Sequence, residues 1–166
     1  HAVKSAEITE SLLRRLKFSN EIRESVVELV ASHDMTIVPK SNKVKKYLNK
    51  FGEAQFRRLL DIRFCDIMAH NPYYAKERLW ETFRAEEVLN EVLAEEKCFS
   101  IKDLAINGKD IMNLGVKEGP DVGKWLNYAL NEVINDRLEN DKEDILNDID
   151  AKLYAEREEG NDEVFT

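Results

Sequence analysis

Hydrophobic residues recur along this chain every three or four positions, the spacing of one face of an α-helix. The pattern is clear in SAEITESLLRRL, and it continues in EIRESVVELVASHD and in EAQFRRLLDIRFCDIMAHNP. The residues predicted to face inward in these stretches are Ile8, Leu12, Leu13, Leu16, Ile22, Val26, Val27, Val30, Phe56, Leu60, Phe64, Ile67 and Met68. No alternating segment longer than four residues appears. The sequence therefore predicts an all-α fold, a multi-helix array of about eight to nine helices without a sheet.

Helix-breaking residues mark the ends of the predicted helices. Pro39 places a loop at MTIVPKSN, and Gly52 ends the short basic helix KVKKYLNKF. The longest helical pattern, AKERLWETFRAEEVLNEVLAEE, is followed by Ser100, a candidate N-cap for a short helix. We therefore expect one domain at residues 1–96 and a second at residues 97–166, which ends in an acidic helix. The aromatic residues predicted to lie in the core are Trp80, Phe83 and Trp125.

Glycines are concentrated in the stretch that ends with LGVKEGPDVGKWL. Four of the six glycines fall between Gly108 and Gly123. Gly115 is typical of a helix end, and Pro120 is typical of the first position of the next helix. Inside that helix Gly123 costs about 1 kcal/mol relative to Ala, so we expect a close approach of another backbone there. The stretch is either a plain helix–helix corner or a cradle whose amides hold a phosphate beside lysines.

Charge is distributed unevenly along the chain. The sequence has 25 Lys and Arg against 33 Asp and Glu, a net charge of −8. Between Glu139 and Glu163 eleven acidic residues stand against three basic ones, which accounts for the whole imbalance. By contrast, five lysines and no acid occur between Lys40 and Lys50, with Tyr47 among them. This segment is either a solvated face or a patch that tracks phosphates and stacks one base.

Composition narrows the class of protein. Hydrophobic residues make up 43 % of the chain, enough for a core, but no apolar run approaches the ~18 residues of a membrane span. Cys65 and Cys98 are far apart and form no metal-ligand cluster, so the default is a reduced, cytoplasmic protein without membrane contact. The sequence opens at His1 inside a helical pattern, which favours a fragment of a longer protein.

Possible metal ligands are scattered through the first domain. His1, His33, Asp34, Asp66 and His70 are imidazole and carboxylate groups of the kind that hold a divalent metal at a hydrolytic centre. Three histidines spread over seventy residues are, however, more often surface or core residues.

Two segments resemble bacterial CCA-adding tRNA nucleotidyltransferases. LVASHDMTIVPKSNKVKKYLNKFGEAQFRRLLDIRFCDIMAHNP resembles the C-terminal half of the HD-type helical domain that follows their catalytic head. FSIKDLAINGKDIMNLGVKEGPDVGKWLNYALNEVINDRLENDKEDIL resembles their body and tail, where a pattern of the type L.I.G.DL...G...GP.IG..L precedes Asn-x-x-Glu-x-Leu. Here the pattern is carried by Leu104, Ile106, Gly108, Asp110, Gly115, Gly119, Pro120, Val122, Gly123 and Leu126, continued by Asn140, Glu143 and Leu146.

The resemblance implies that the parent protein adds cytidine and adenosine to the 3′ end of tRNA, with Mg²⁺ in its head and CTP and ATP as substrates. That head carries a Gly-Ser turn followed by a strand-borne Asp-x-Asp, and no such combination occurs here, so this chain alone is expected to be non-catalytic and to hold no cofactor. Its helical regions would clamp tRNA. The residues expected to contact RNA are Lys40, Lys43, Lys45, Lys46, Lys50, Gly115, Lys117, Gly119, Gly123 and Lys124. The HD pattern also implies that His1, His33 and Asp66 belong to an incomplete metal site.

Two alternatives stay open at this point. One is a metal-dependent HD-type phosphohydrolase, which would require a His-Asp pair upstream of His1. The other is a structural helical module that associates with itself as a homodimer through the long helix predicted at Ala75–Glu96.

Overall fold

A computed structural model of the chain describes residues 2–69, 75–95 and 98–162, with side chains as far as Glu156. The helices are α1 (Ala2–Arg15), α2 (Asn20–Ser32), α3 (Ser41–Phe51), α4 (Glu53–Ala69), α5 (Ala75–Ala94), α6 (Gly108–Asn113), α7 (Pro120–Ile134) and α8 (Lys142–Asp162), with a short 3₁₀ turn at Ile101–Asp103. No strand occurs in the described ranges, which confirms the predicted all-α class. None of the described helices is both long enough and apolar enough to cross a membrane.

The chain folds into two compact units, His1–Glu96 and Lys97–Thr166. In unit 1, α1 lies along α2, while α3 and α4 pack on α5. The helix α3 ends at Gly52, whose φ of 72° is accessible to glycine at little cost, and α4 begins directly after it. This sharp turn lets both helices bury apolar side chains against α5. The fully buried side chains here include Ile37, Val44, Phe56, Leu59, Ile67, Leu89 and Val92.

Arg63 crosses the interior of unit 1 from α4. Its guanidinium donates to the carbonyl of Met35 at 2.8 Å and to the hydroxyl of Thr82 at 3.2 Å, and it pairs with Glu81 at 3.3 Å. Burial lowers the pKa of Arg63, although an arginine remains charged at every pH in which the protein is folded. Its partners tie the loop after α2 and the helix α5 to α4.

Several side chains predicted to face inward in unit 1 are exposed. On α1 and α2 this applies to Ile8, Leu12 and Ile22, and directly after α1 it applies to Leu16. On α4 and α5 it applies to Phe64, Met68, Trp80 and Phe83. Each of these residues has helical spacing, but its helix turns a different stripe towards the neighbouring helix. The predictions of core positions for these residues were wrong.

Unit 2 has a core of its own, formed where α6, α7 and α8 meet. Trp125 is only 5 % exposed, which confirms its predicted core position. Its ring meets that of Tyr128 edge-on at 5.6 Å between centroids. The fully buried aliphatic side chains around them are Ile111, Ile145 and Ile149. The acidic helix α8 is therefore part of the folded core rather than a loose tail.

Two capping boxes organise the segment that enters unit 2. The Asp103 carboxylate accepts from the backbone amide of Ser100 at 2.8 Å, and the Asp110 carboxylate accepts from that of Asn107 at 2.9 Å. Each pair satisfies amides at a helix start that would otherwise lack a partner. Ser100 thus precedes a three-residue 3₁₀ turn, which is shorter than the short helix predicted after it.

Candidate nucleic-acid interface

Three lysines form a row along one side of α3, in which Lys43 and Lys50 are exposed and Lys46 is half-buried. Lys43, Lys46 and Lys50 lie within about 60° of one another around the helix, because seven residues span nearly two turns. Among the residues that the structure describes, no carboxylate pairs with any of the three. The Lys50 ammonium lies 4.6 Å from the centroid of the Phe51 ring. Lys40, at the N-cap position of α3, is exposed as well. We call these four lysines the α3 lysine row.

Two members of the predicted basic segment turn away from this row. Lys45 lies about 130° round the helix from the middle of the row, and it is only 4 % exposed. It is therefore not part of the surface that the row presents. The Tyr47 hydroxyl bonds to the carbonyl of Thr36 and to the amide of Val38, both at 3.3 Å. Its ring packs on Phe56 with centroids 5.2 Å apart. Tyr47 holds the loop before α3 in place, and its ring is already packed on Phe56.

The α3 lysine row differs from six of the eight arginines of unit 1. Carboxylates pair with Arg14, Arg23, Arg57, Arg63, Arg78 and Arg84 at 2.9–3.5 Å. Their charges are compensated locally, whereas those of Lys43, Lys46 and Lys50 are compensated by no described side chain. The row is therefore a group of lysines in unit 1 whose positive charge no described side chain compensates.

The glycine-rich corner joins α6 to α7 in unit 2. Gly115 has a φ of 89° just after Leu114, the C-cap of α6, as a helix stop requires. Gly119 has a φ of 143° and forms the N-cap of α7 without any side chain capping the helix, and Pro120 takes the first helical position. The start of α7 thus presents backbone amides that no capping side chain occupies.

A close contact lies at Gly108 rather than at Gly123, and it is with a side chain and not with another backbone. A Cβ atom added to Gly123 would meet nothing within 4 Å, whereas one added to Gly108 would lie 3.2 Å from Cγ1 of Val122. The prediction for Gly123 was therefore wrong. Gly108 opens α6 at the point where the first turn of α7 crosses it, so packing accounts for Gly108 and leaves Gly123 unexplained.

The two lysines of the corner have different surroundings. Lys117 is exposed and has no carboxylate partner among the described residues. The Lys124 ammonium lies 3.3 Å from the Glu156 carboxylate of α8 and 5.2 Å from the centroid of the Trp125 ring. Glu118 and Asp121 flank the start of α7 and oppose the attraction of that helix end for an anion. An anion at the corner would therefore be held weakly.

A cleft between α7 and α8 was not predicted from the sequence. It is lined by Lys124, Trp125, Tyr128, Lys152, Ala155 and Glu156. The Lys152 ammonium lies 5.3 Å from the centroid of the Tyr128 ring, and the Tyr128 hydroxyl donates to Asp148 at 2.6 Å. Burial and the hydrogen bond to the Asp148 carboxylate raise the pKa of Tyr128. Only the pairing of α7 with α8 reveals this cleft, since its two walls are about 30 residues apart in sequence.

Comparison with known proteins decides the family. The sequence model of the family tRNA nucleotidyltransferase domain 2 matches residues 1–149, a range that contains both the α3 lysine row and the glycine-rich corner. The chain belongs to this family. No curated protein and no solved structure matches the chain. The family membership confirms the expected link to tRNA nucleotidyltransferases, and the partner that it implies is tRNA.

Within this tRNA nucleotidyltransferase domain, several residues of the recognised pattern are structural. The Asn140 side chain accepts from the amide of Ala105 at 2.9 Å and donates to the carbonyl of Asp103 at 2.8 Å, which fastens the chain before α8 to the entrance of unit 2. Asp110 caps α6 and accepts from the Lys142 ammonium at 2.6 Å. Some residues of the pattern therefore stabilise the fold of unit 2, whether or not others contact tRNA.

The structure does not assemble the predicted metal ligands into a site within the described residues. Nδ1 of His33 lies 2.7 Å from the backbone carbonyl of Val30, and the Asp66 carboxylate lies 3.5 Å from the guanidinium of Arg78. His1 and His70 lie outside the described residues. No group of three or more His, Cys, Asp or Glu side chains in the described part of the chain is placed to hold a metal. The HD-type site stays a prediction.

Proposed function

We propose that this chain is the tRNA-binding C-terminal region of a CCA-adding tRNA nucleotidyltransferase. In this proposal it positions the 3′ end of tRNA for a catalytic head that this sequence does not contain. Family membership supports the link to tRNA. The observation that carries the proposal is the α3 lysine row, because three ammonium groups without local carboxylate partners among the described residues share one face of a helix.

The chemistry of the row suits a nucleic-acid partner that is recognised through its phosphate backbone. An enzyme that acts on every tRNA must recognise shape and phosphates rather than one base sequence. An ammonium on a flexible stem is a compact charge that can follow a phosphate without fixed geometry. Lys43 and Lys50 are 7 residues apart, so they span about 10 Å along α3, which is comparable with the spacing of one or two phosphates.

The glycine-rich corner supplies a second, weaker contact in this proposal. The start of α7 has no side-chain cap, and Lys117 stands beside it without a carboxylate partner in the described ranges. Glu118 and Asp121 reduce the attraction, and Lys124 would have to leave Glu156 to reach a phosphate. We therefore assign most of the affinity to the α3 lysine row and a minor part to the corner.

The experiment compares two double charge reversals by filter binding of tRNA at several salt concentrations. Lys43→Glu with Lys50→Glu should raise the dissociation constant about tenfold and lower the slope of log K against log salt by roughly one for each phosphate that the variant no longer neutralises. The matched control is Lys102→Glu with Lys109→Glu, two exposed lysines outside the row, which changes the net charge equally. An equal effect in both variants, or none in the first, contradicts the proposal.

A further inference from the structure

An aromatic surface lies on the outside of α4 and α5. Trp80 is 62 % exposed and Phe83 is 52 % exposed, although both are large apolar side chains. The Phe64 ring of α4 packs on Phe83 with centroids 5.8 Å apart, and Met68 follows Phe64 one turn later. These four residues, which we call the α5 aromatic face, are exposed apolar side chains of two helices that pack on each other.

The exposed apolar area of this face is larger than that of single apolar residues scattered over a protein surface. Burying one aromatic side chain removes about 150–250 Å² from water, so four half-exposed side chains offer several hundred Å² together. Patches of about 300–600 Å² are the largest on typical monomers and often serve a function. Trp is also among the side chains that contribute most to protein–protein binding, and Phe is enriched at the cores of interfaces.

Charges around the face disfavour RNA as its partner. Arg84 bridges Glu87 and Glu91, with both guanidinium–carboxylate distances 3.0 Å. One positive charge thus stands between two negative ones, which leaves an excess of negative charge at this end of α5. Phosphates would be repelled there. At the other end Lys76 is exposed and lacks a carboxylate partner among the described residues.

The order of these residues along α5 is complementary to itself in the antiparallel direction. We place two antiparallel α5 helices side by side, related by a two-fold axis that is perpendicular to them and passes midway between residues 81 and 82. Trp80 then faces Phe83 of the second copy, and Lys76 faces Glu87 of the second copy. Within one copy Lys76 and Glu87 are about 16 Å apart along the helix, too far to pair. One register therefore covers both aromatic residues and brings Lys76 to the acidic end of the other helix.

We propose that the α5 aromatic face is a docking surface for a second copy of this chain, joined through antiparallel α5 helices. A two-fold axis uses the same patch on both copies, so each aromatic pair and each Lys76–Glu87 pair occurs twice. Phe64 and Met68 of α4 extend the apolar contact beside the axis. This inference concerns the assembly of the protein and does not depend on tRNA binding.

Sedimentation equilibrium over about 1–100 µM chain tests this surface. The wild-type chain should be in a monomer–dimer equilibrium. Trp80→Ala and Phe83→Ala should each raise the dimer dissociation constant at least tenfold, with circular-dichroism melts confirming that the variants fold. Tyr154→Ala, which removes an exposed aromatic side chain of α8, should leave dimerisation unchanged. A wild-type monomer at every concentration, or dimers unaffected by both α5 substitutions, overturns the proposal.

A charge exchange tests the register itself. Lys76→Glu and Glu87→Lys should each weaken the dimer, because each places like charges opposite one another. The double variant Lys76→Glu with Glu87→Lys should recover the wild-type dissociation constant, since the pair is re-formed with the signs exchanged. Additive weakening in the double variant overturns the antiparallel register, and with it the assignment of this face to a second copy.

Discussion

At the scale of single residues, Gly123 offers a substitution that separates stability from function. A Cβ at this position meets nothing within 4 Å, and the residue lies inside α7. Gly123→Ala should therefore increase the free energy of unfolding by about 0.5–1 kcal/mol, because alanine loses less backbone entropy in a helix. Urea denaturation measures this. Weaker tRNA binding by the stabilised variant would mean that RNA backbone approaches Gly123.

Gly108→Ala is the matched comparison for that experiment. Its Cβ would lie 3.2 Å from Cγ1 of Val122, closer than ordinary van der Waals contact. The gain in helix propensity is then opposed by compression of the α6–α7 contact. The Gly108 variant should be less stable than the Gly123 variant in the same urea series. Equal stabilisation by both substitutions would contradict this account of the corner.

Arg63 is the second position at which a single substitution is informative. Arg63→Met would remove the donors to Met35, Thr82 and Glu81 while keeping most of the apolar stem. We expect a loss of about 2–3 kcal/mol in the free energy of unfolding, because buried acceptors remain without partners. Arg58→Met, on the exposed side of α4, should change stability by less than about 0.5 kcal/mol. Chemical denaturation that finds both variants equally stable would refute the structural role of Arg63.

At the scale of elements, the contact between the cap of α6 and the start of α8 makes unit 2 sensitive to acid. The hydrogen bond from Lys142 holds the pKa of Asp110 below its ordinary value, and the bond from the Asn107 amide acts in the same direction. A carboxylate with a lowered folded pKa contributes stability above its unfolded pKa, near ~3.9, and this contribution is lost as the pH falls through the folded value. The melting temperature should therefore drop below pH ~4.

Asp110→Asn tests this contribution by melts recorded between pH ~2.5 and ~7. The variant should be less stable than wild type near neutral pH, and the difference should shrink as the pH falls through the Asp110 pKa, because the wild-type carboxylate is then protonated too. Asp150→Asn on the exposed side of α8 serves as the control and should follow the wild-type curve. A difference between Asp110→Asn and wild type that is the same at every pH would contradict the assignment.

At the scale of the whole molecule, each unit has a buried core of its own. The core of unit 2 contains Trp125, Ile111, Ile145 and Ile149, and it is built entirely from residues after Lys97. We expect a polypeptide of residues 97–166 to fold alone, with a cooperative thermal transition by circular dichroism and buried-tryptophan fluorescence. A chain of this length is near the lower limit for one hydrophobic core, so its stability should be only a few kcal/mol. Absence of a cooperative transition would contradict independent folding.

The sequence alone determined the class of fold and the local ends of helices. Helical periodicity acts over a few neighbouring residues, as do the stop at Gly52, the proline at the start of α7 and the glycine after α6. The resemblance also pointed to the family that the sequence comparison confirms. These features depend on contacts between residues near in sequence, so no knowledge of distant partners was required.

Only the tertiary structure decided which side of each helix is covered. Periodicity defines an apolar stripe, but it does not say whether another helix lies over it, so Trp80 and Phe83 were assigned to the core and are exposed. The same limit applies to Lys45, which is buried within a basic segment, and to Gly108, whose close contact comes from α7. Arg63 finds Met35 and Thr82 at separations of 28 and 19 residues. Such partners are set by how helices cross, which local sequence patterns do not encode.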